Sequence, residues 1–224
     1  EKVAMPAAIQ LITAEQLQDC AKSMSDQRAV LMAGLINKLF PQYGIVKKDV
    51  LHEALANFLQ ESLEFQHRVE NMYYRAQTLA NTWPSRFSLT KKKPYMPNDV
   101  AYKYQKSPKA LAIYVYGDRM GNVPGTDDGW NFRGSGFVGL TGRWIFETFA
   151  KYKNFKTPEE AAAYCRDSDY GALDSALWFF CVLKDLIEEA EQDDFIGIVK
   201  EINGGTIGLK DRQHYYELCK KHIT

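Results

Sequence analysis

One glutamate, Glu61, stands where a helical pattern predicts apolar side chains. From Asp49 onward the apolar residues repeat at about 100° per residue and form one stripe, and Glu61 falls inside it, with Glu53 and Glu64 at or beyond its edge. A carboxyl group among core side chains is costly unless it is paired or functional. Burial also raises a carboxyl pKa, as a general acid near neutral pH requires. Two hypotheses therefore stay open: a general acid, or a buried glutamate satisfied by an arginine such as Arg133.

Residues 127–143, reading DDGWNFRGSGFVGLTGR, are the second candidate. Glycine permits positive φ and close approach of the backbone. A flexible linker would lack the aromatic residues of this stretch, and neither phosphate-binding glycine motif fits its spacing. The stretch therefore predicts a compact loop or short hairpin, and a structural turn and a ligand-lining loop are equally open.

The composition limits the class of protein. Lys+Arg and Asp+Glu are both 28, so the net charge is zero, and nothing in it favours nucleic acid or an anionic membrane as a partner. No apolar run approaches the length of a membrane span. Residues 1–10 lack the charged and apolar regions of a signal peptide. We expect one catalytic domain over residues 1–224, made in the cytoplasm or already trimmed.

The cysteines and histidines form no metal-binding pattern, so neither a metal nor another cofactor is expected. Disulfide pairings remain arithmetically possible. Each cysteine nevertheless lies in an apolar, helix-like pattern, and we expect buried free thiols at Cys20, Cys165, Cys181 and Cys219.

The elements that must position these residues are helices. Start signals stand at Thr13–Gln16, Ser107-Pro108 and Thr157-Pro158, and stop signals at Pro41 and Asn203-Gly204. The run from Asp169 to Ile187 is apolar on nearly every face, which predicts the central core helix. No strong alternating strand pattern appears. The predicted fold is mainly α, with at most a small hairpin in the glycine-rich stretch.

Three segments carry a family resemblance: 58–62 with Glu70-Asn71 after it, the glycine-rich stretch, and 202–212, with 119–122 in support. Together they resemble the family-19 glycoside hydrolases, nearest the bacterial and phage lysozyme-like branch of these chitinase relatives. The resemblance spans nearly the whole chain. It implies a lysozyme-like helical fold of two lobes with a cleft between them, the smaller lobe around residues 70–120. It also implies hydrolysis of β-1,4 bonds at N-acetylated amino sugars, in chitin or peptidoglycan.

The resemblance assigns roles to individual residues. Glu61 falls at the general acid, Glu70 at the second carboxylate, and Thr141 at a hydroxyl that helps to hold the attacking water. Inverting glycosidases hold two such carboxyls about 6.5–9.5 Å apart to admit that water. Asn203 and Arg212 lie in the segment that lines the cleft and contacts sugar or orients the acid. Further candidates for substrate contact are Tyr73, Tyr116, Trp130 and Arg133.

The sequence departs from the family pattern near these positions. Gln60 replaces a histidine, Leu63-Glu64 replace a glycine pair, and Ser135 replaces an arginine. Gly139 replaces a glutamine that faces the cleft near the water site in relatives. Without that amide the catalytic water has one polar partner fewer, which bears on rate, substrate and activity itself.

The leading hypothesis is a monomeric peptidoglycan hydrolase, either a phage endolysin or a bacteriolytic effector delivered to the cell wall. The neutral net charge favours an effector with a delivery or immunity partner, because basic enzymes bind anionic walls better. A chitinase is the alternative within the enzyme class. A degenerate glycan-binding or structural module is the alternative outside it, and Gly139 is its best support.

Overall fold

In a computed structural model of the chain, residues 9–224 are described and are mainly α-helical, as expected. Residues 1–8, within the segment predicted to lack a signal peptide, lie outside the described part. The helices are α1 (Ala14–Cys20), α2 (Asp26–Leu39), α3 (Lys48–Glu61), α4 (Ala76–Thr82), α5 (Pro84–Phe87), α6 (Asp99–Tyr104), α7 (Pro108–Tyr116), α8 (Asp128–Asn131), α9 (Arg143–Lys153), α10 (Pro158–Asp167), α11 (Asp169–Trp178), α12 (Ile187–Glu191), α13 (Phe195–Asn203) and α14 (Leu209–His222). No β-strand forms within residues 9–224, only isolated bridges.

The local start and stop signals are found where the sequence places them. The Thr13 side chain accepts from the Gln16 amide while the Gln16 side chain accepts from the Thr13 amide, which completes the capping box of α1. Gly204 ends α13 in the left-handed conformation, at φ 68°. α2 ends at Leu39, before Pro41, as the stop signal predicts. A 3₁₀ turn, Phe40–Tyr43, continues from α2.

The described chain divides into two compact units, each with a core of its own. The first unit comprises residues 9–68, 136–139 and 163–224, and the second comprises 69–135 and 140–162. One core cluster of the second unit is formed by α4 to α7 and is bordered by partly buried tyrosines and tryptophans. Its buried members are Met72, Ala76, Leu79, Phe87, Ala101, Leu111, Ala112 and Val115.

The first unit is built around two buried helices rather than one. Every residue from Val50 to Leu59 of α3 is buried, because α12, α13 and α14 pack against this helix. The predicted central helix, α11, is buried from Gly171 to Trp178. It is not continuous to Ile187, since a π-helical turn at Phe179–Leu183 interrupts it. The prediction of one long core helix was therefore wrong in its extent.

Two further expectations concern thiols and membranes. All four cysteines are buried and free, which confirms the prediction. Within residues 9–224, no single helix is long and apolar enough to cross a membrane. Only Asp26–Tyr43 taken with Lys48–Glu61, a pair bent by 119°, would meet that requirement by length and composition.

Candidate active site

The predicted site residues fall into two groups, one in each unit. The first unit holds Glu61, Arg212 and Asn203. The second holds Glu70 and Thr141 together with Tyr73, Tyr116, Trp130 and Arg133.

Glu61 is the last residue of α3, and its predicted burial was wrong. Its side chain keeps 26% of its surface exposed, because the helix ends there and the chain leaves the core. The buried carboxyl of α3 is instead Glu53, which is 1% exposed. The helical stripe placed Glu53 outside the core because it did not include the packing of α14 and α13 on the other side of α3.

Arg212, on α14, holds Glu61 with one arm of its guanidinium. Its Nη2 donates to Glu61 Oε1, and its Nη1 donates to Asn57 Oδ1 at 2.9 Å. The Arg212 side chain is only 4% exposed. The buried arginine therefore holds the more exposed Glu61 carboxylate in place. The arginine that satisfies Glu61 is therefore Arg212 and not Arg133. Within the described residues Glu61 Oε2 has no partner, which leaves it available to a ligand.

Asn57 is a site residue that the sequence did not reveal. Its amide nitrogen donates to the Glu53 carbonyl at 2.9 Å, so its Oδ1 is oriented toward Arg212. The one available signal was an amide in the middle of a largely apolar stretch of helix, Ala54–Leu59, where a buried polar group needs a partner.

The turn after Glu61 is left-handed at three successive residues that are not glycine. Leu63, Glu64 and Phe65 have φ of 49°, 58° and 62°, a conformation that costs about 1–2 kcal/mol per residue. The Glu64 carboxylate accepts from the Ser23 amide at 2.9 Å and from the Tyr215 hydroxyl at 3.0 Å. These side-chain contacts hold the left-handed turn although none of its three residues is glycine.

Asn203 closes the loop before α14. Its amide nitrogen donates to the Ile207 carbonyl at 2.9 Å, and Gly204 and Gly208 take left-handed φ of 68° and 71°. A Cβ on Gly208 would lie 3.6 Å from Gln60 Nε2 and 3.8 Å from Arg212 Nε. This loop therefore borders the Glu61 cluster.

In the second unit, Glu70 is held through both carboxylate oxygens. Tyr116 donates its hydroxyl to Oε1 at 2.8 Å, and the Gly134 amide donates to Oε2 at 3.3 Å. The Glu70 amide returns a bond to the Gly134 carbonyl at 2.8 Å. Burial, and next the Glu70 charge, raise the pKa of the Tyr116 phenol, so this group remains a proton donor in the bond.

Gly134 brings Thr141 next to Glu70. A Cβ at Gly134 would lie 3.2 Å from Glu70 Oε2 and 3.5 Å from Thr141 Oγ1. A side chain there would enter the space that the carboxylate and the hydroxyl both border. The arrangement offers a water an anionic acceptor and a neighbouring hydroxyl.

The other candidates for substrate contact in the second unit, Trp130, Arg133 and Tyr73, make other contacts. The Arg133 guanidinium lies 3.6 Å from the centre of the Trp130 ring and donates to the Trp130 carbonyl at 2.8 Å. The Tyr73 side chain is largely exposed, and its amide is held by Asn71 Oδ1.

The glycine-rich stretch forms a compact turn, and its glycines have different surroundings. Ser135 and Leu140 exchange two backbone hydrogen bonds, of 3.0 and 2.9 Å, and form the expected small hairpin. At Gly136 a Cβ would lie 2.6 Å from Ser175 Oγ, so this glycine serves packing. Gly134 instead borders Glu70. Gly139 lies exposed with φ 65°, and nothing comes within 4 Å of an added Cβ.

Within residues 9–224 no group of three or more His, Cys, Asp or Glu side chains is arranged to hold a metal ion.

Comparison with known proteins gives relatives in sequence and in fold. No protein-family model matches the chain. A glycosyl hydrolase family 19 domain-containing protein of Haemophilus influenzae is 28% identical over 175 residues, which is 77% of this chain and 80% of that protein.

Two solved structures share the fold. The crystal structure of a mutant of chitinase C superposes with a TM-score of 0.59 and 11% identity, covering 98% of this chain and 95% of that one. Chitinase C from Streptomyces griseus HUT6037 superposes with a TM-score of 0.56 and 12% identity, covering 99% and 79%. These likenesses confirm the lysozyme-like, mainly α fold.

Proposed function

We propose that this chain, which is similar to a glycosyl hydrolase family 19 domain-containing protein and shares its fold with chitinase C, is a glycosidase that hydrolyses the β-1,4 glycan strands of peptidoglycan. Two groups carry the chemistry in this proposal. Glu61 gives a proton to the glycosidic oxygen, and Glu70 takes a proton from the water that attacks the anomeric carbon. The product then has inverted configuration.

The Glu70 cluster is the observation that carries the proposal. Tyr116 and the Gly134 amide orient the two carboxylate oxygens, and Thr141 Oγ1 borders the same space. A base that is fixed in this way does not have to reorganise when the water attacks. This geometry supports a water-activating role, because the carboxylate has a donor on each oxygen and lies beside a hydroxyl group.

The Glu61 cluster supports the acid role by its geometry. Arg212 holds one oxygen, and Oε2 has no partner within the described residues. A carboxyl oriented through one oxygen can present the other to a leaving group. The neighbouring loop, closed by Asn203, adds Gly208 and Thr206 as backbone that a sugar could approach.

Delivery is part of the proposal. The enzyme acts on the wall after lysis or after transfer by a secretion machine, and in the second case an immunity protein protects the producer. Purification of the native protein from its host tests this, because a tightly bound small protein favours the effector and free release at lysis favours the endolysin.

Hydrolysis is tested with purified sacculi and with chitin oligomers. The parent is expected to release reducing ends from sacculi, and Glu61→Gln and Glu70→Gln are expected to release none. Glu188→Gln, an exposed glutamate of α12, is the matched control and keeps parental activity. Proton NMR of the first product gives its anomeric configuration.

Each alternative has its own outcome in this experiment. Turnover of chitin oligomers but not of sacculi makes the protein a chitinase. Binding to sacculi without turnover, equal in the parent and in Glu61→Gln, makes it a degenerate glycan-binding module. Either outcome rejects the proposed peptidoglycan hydrolase.

A further inference from the structure

The zero net charge of the chain conceals an uneven distribution between its units. Residues 69–135 and 140–162 carry 14 Lys and Arg against 8 Asp and Glu, a net charge of +6. The rest of the chain carries 14 against 20, a net charge of −6. Electrostatic attraction to an anionic polymer therefore depends on the second unit, whatever the total charge.

Most of that positive charge lies within residues 75–109. This segment has eight basic residues and one acidic residue, Asp99. The basic residues are Arg75, Arg86, Lys91, Lys92, Lys93, Lys103, Lys106 and Lys109, and all but the half-buried Arg86 are exposed. Because α4 to α7 share one small core, the segment is a compact basic module rather than a flexible tail.

A cavity of about 720 Å³ lies in this module, beside the run of three lysines. It is lined by Gln77, Asn81, Lys93, Pro94 and Tyr95, none of which belongs to the Glu70 cluster. The loop that carries Lys93 is anchored at both ends, since the Leu89 amide donates to the Met96 carbonyl at 2.8 Å.

The polar groups of the cavity are oriented. The Gln77 amide nitrogen donates to the Tyr95 carbonyl at 2.8 Å and to Asn81 Oδ1 at 3.2 Å. Within the described residues this leaves the Gln77 carbonyl oxygen as an acceptor and the Asn81 amide nitrogen as a donor, both without a partner. The Lys93 ammonium makes no ion pair in the described part of the chain. The cavity thus offers an acceptor, a donor, a cation and an aromatic ring.

We propose that this cavity binds a carboxylate-bearing amino-sugar strand, at a site separate from that of hydrolysis. The Tyr95 ring suits the apolar face of a sugar, and the two amides suit its hydroxyl or acetamido groups. Lys93, with Lys91 and Lys92, suits the carboxylates of the peptide substituents of peptidoglycan, and the lactyl carboxylate wherever no peptide is attached to it. Chitin has no such carboxylates. The inference rests on the proposed function and specifies its substrate class.

Co-sedimentation with purified sacculi tests the site without requiring turnover. All proteins carry Glu61→Gln, so that the sacculi stay intact. The lysine variant combines Lys91→Gln, Lys92→Gln and Lys93→Gln, and it is expected to bind about tenfold more weakly at low salt. The difference disappears near 1 M salt, where screening acts within about 3 Å. Tyr95→Leu weakens binding at both salt concentrations.

A matched control removes three exposed lysines of the first unit, as Lys22→Gln, Lys200→Gln and Lys221→Gln. This control is expected to bind like its parent. The proposal is overturned if the control loses as much affinity as the lysine variant, or if the lysine variant binds normally. It is also overturned if chitin beads, RNA or anionic vesicles show the same affinity and the same dependence on these lysines.

The two proposals fail in distinguishable ways. Without Glu61→Gln, the lysine variant is expected to hydrolyse short soluble glycan fragments at the parental rate, since it leaves Glu61 and Glu70 unchanged. If the parent hydrolyses nothing but the binding pattern holds, the proposed function fails and the binding site stands. If hydrolysis occurs and the lysine variant binds like its parent, the proposed function stands and the binding site fails.

Discussion

Arg212 bonds Glu61 at the end of α3 through one nitrogen and holds Asn57, one turn earlier, through the other. Two residues on one face of a helix are thereby tied to α14 by a single buried guanidinium. The position of Glu61 consequently depends on a chain segment 151 residues away.

The first prediction concerns this clamp. Asn57→Leu removes a hydrogen bond from buried Arg212 and leaves Glu61 itself unchanged. We expect a loss of about 1–3 kcal/mol in the free energy of unfolding, because the guanidinium then has an unpaired arm. Urea denaturation measures it. Arg119→Leu, at an exposed arginine, is the control and is expected to change stability by less than about 0.5 kcal/mol. Equal losses in the two variants would contradict the clamp.

The second prediction concerns Tyr116. Tyr116→Phe deletes the hydroxyl that donates to Glu70 at 2.8 Å and keeps the ring in its packing. Hydrogen bonds to charged groups are worth about 1.5–3 kcal/mol, so kcat/KM is expected to fall about 10- to 100-fold. Steady-state hydrolysis of sacculi fragments measures this.

Tyr114→Phe is the matched control for that variant. Tyr114 lies on the same helix, and its ring stacks on Tyr104 at 4.4 Å, outside the Glu70 cluster. Unchanged kinetics are expected. A parental rate for Tyr116→Phe would show that the orientation of Glu70 does not limit the reaction.

Local signals predicted the helices well, and long-range packing explains what they missed. The Thr13 capping box and the Gly204 cap involve neighbours in the chain, so the sequence alone reveals them. The choice between Glu53 and Glu61 as the buried carboxyl depends on where α3 ends and on what covers its second face. Neither is encoded within the helix itself.

The left-handed turn at Leu63–Phe65 could not be predicted for a similar reason. Leucine, glutamate and phenylalanine each disfavour positive φ, so local preference argues against the observed backbone. Contacts from Ser23 and Tyr215 reverse that preference. The clustering of Glu70 and Thr141 was expected only from the family resemblance, since nothing in residue spacing brings them together.

The third prediction separates two glycines of one hairpin region. Gly134→Ala places a methyl group 3.1 Å from Glu70 Cβ and 3.2 Å from its Oε2. Glu70 must shift by a few tenths of an ångström. Because a displacement of about 1 Å can cost about 100-fold in rate, a loss of up to about tenfold is expected here. Gly139→Ala meets no atom within 4 Å and is expected to keep its rate, at a backbone cost of about 1 kcal/mol. Assays of hydrolysis, with thermal unfolding beside them, compare the pair. A larger rate loss in Gly139→Ala would contradict the assignment.

Gly139→Gln gives the fourth prediction. The open space at this position accommodates the longer side chain, and relatives of the resembled family carry an amide there. We expect a protein that folds with a loss of about 1 kcal/mol and hydrolyses sacculi faster than the parent. Gly139→Leu, with similar size and no amide, is the control. Equal rates in both variants and the parent would mean that the water site works without this group.

The fifth prediction is a pH dependence of stability that arises at Glu53. Burial, and next the charges of Asp193 and Asp194, raise the pKa of this carboxyl from 4.5 to about 8, and neither of its oxygens has a hydrogen-bond partner among residues 9–224. A raised pKa means that the folded state binds the proton more tightly than the unfolded state. The stabilisation is therefore complete below the unfolded pKa and is lost as the pH rises toward about 8.

Urea unfolding of the parent and of Glu53→Gln between about pH 5 and 8.5 measures that dependence. The parent is expected to lose up to about 1.4 kcal/mol per pH unit relative to Glu53→Gln, whereas the variant's own buried amide costs the same at every pH. Burial lowers the pKa of neighbouring His52, which acts in the opposite direction. Because both proteins keep His52, its contribution cancels in the difference. Parallel curves for the two proteins would show that Glu53 does not titrate with unfolding.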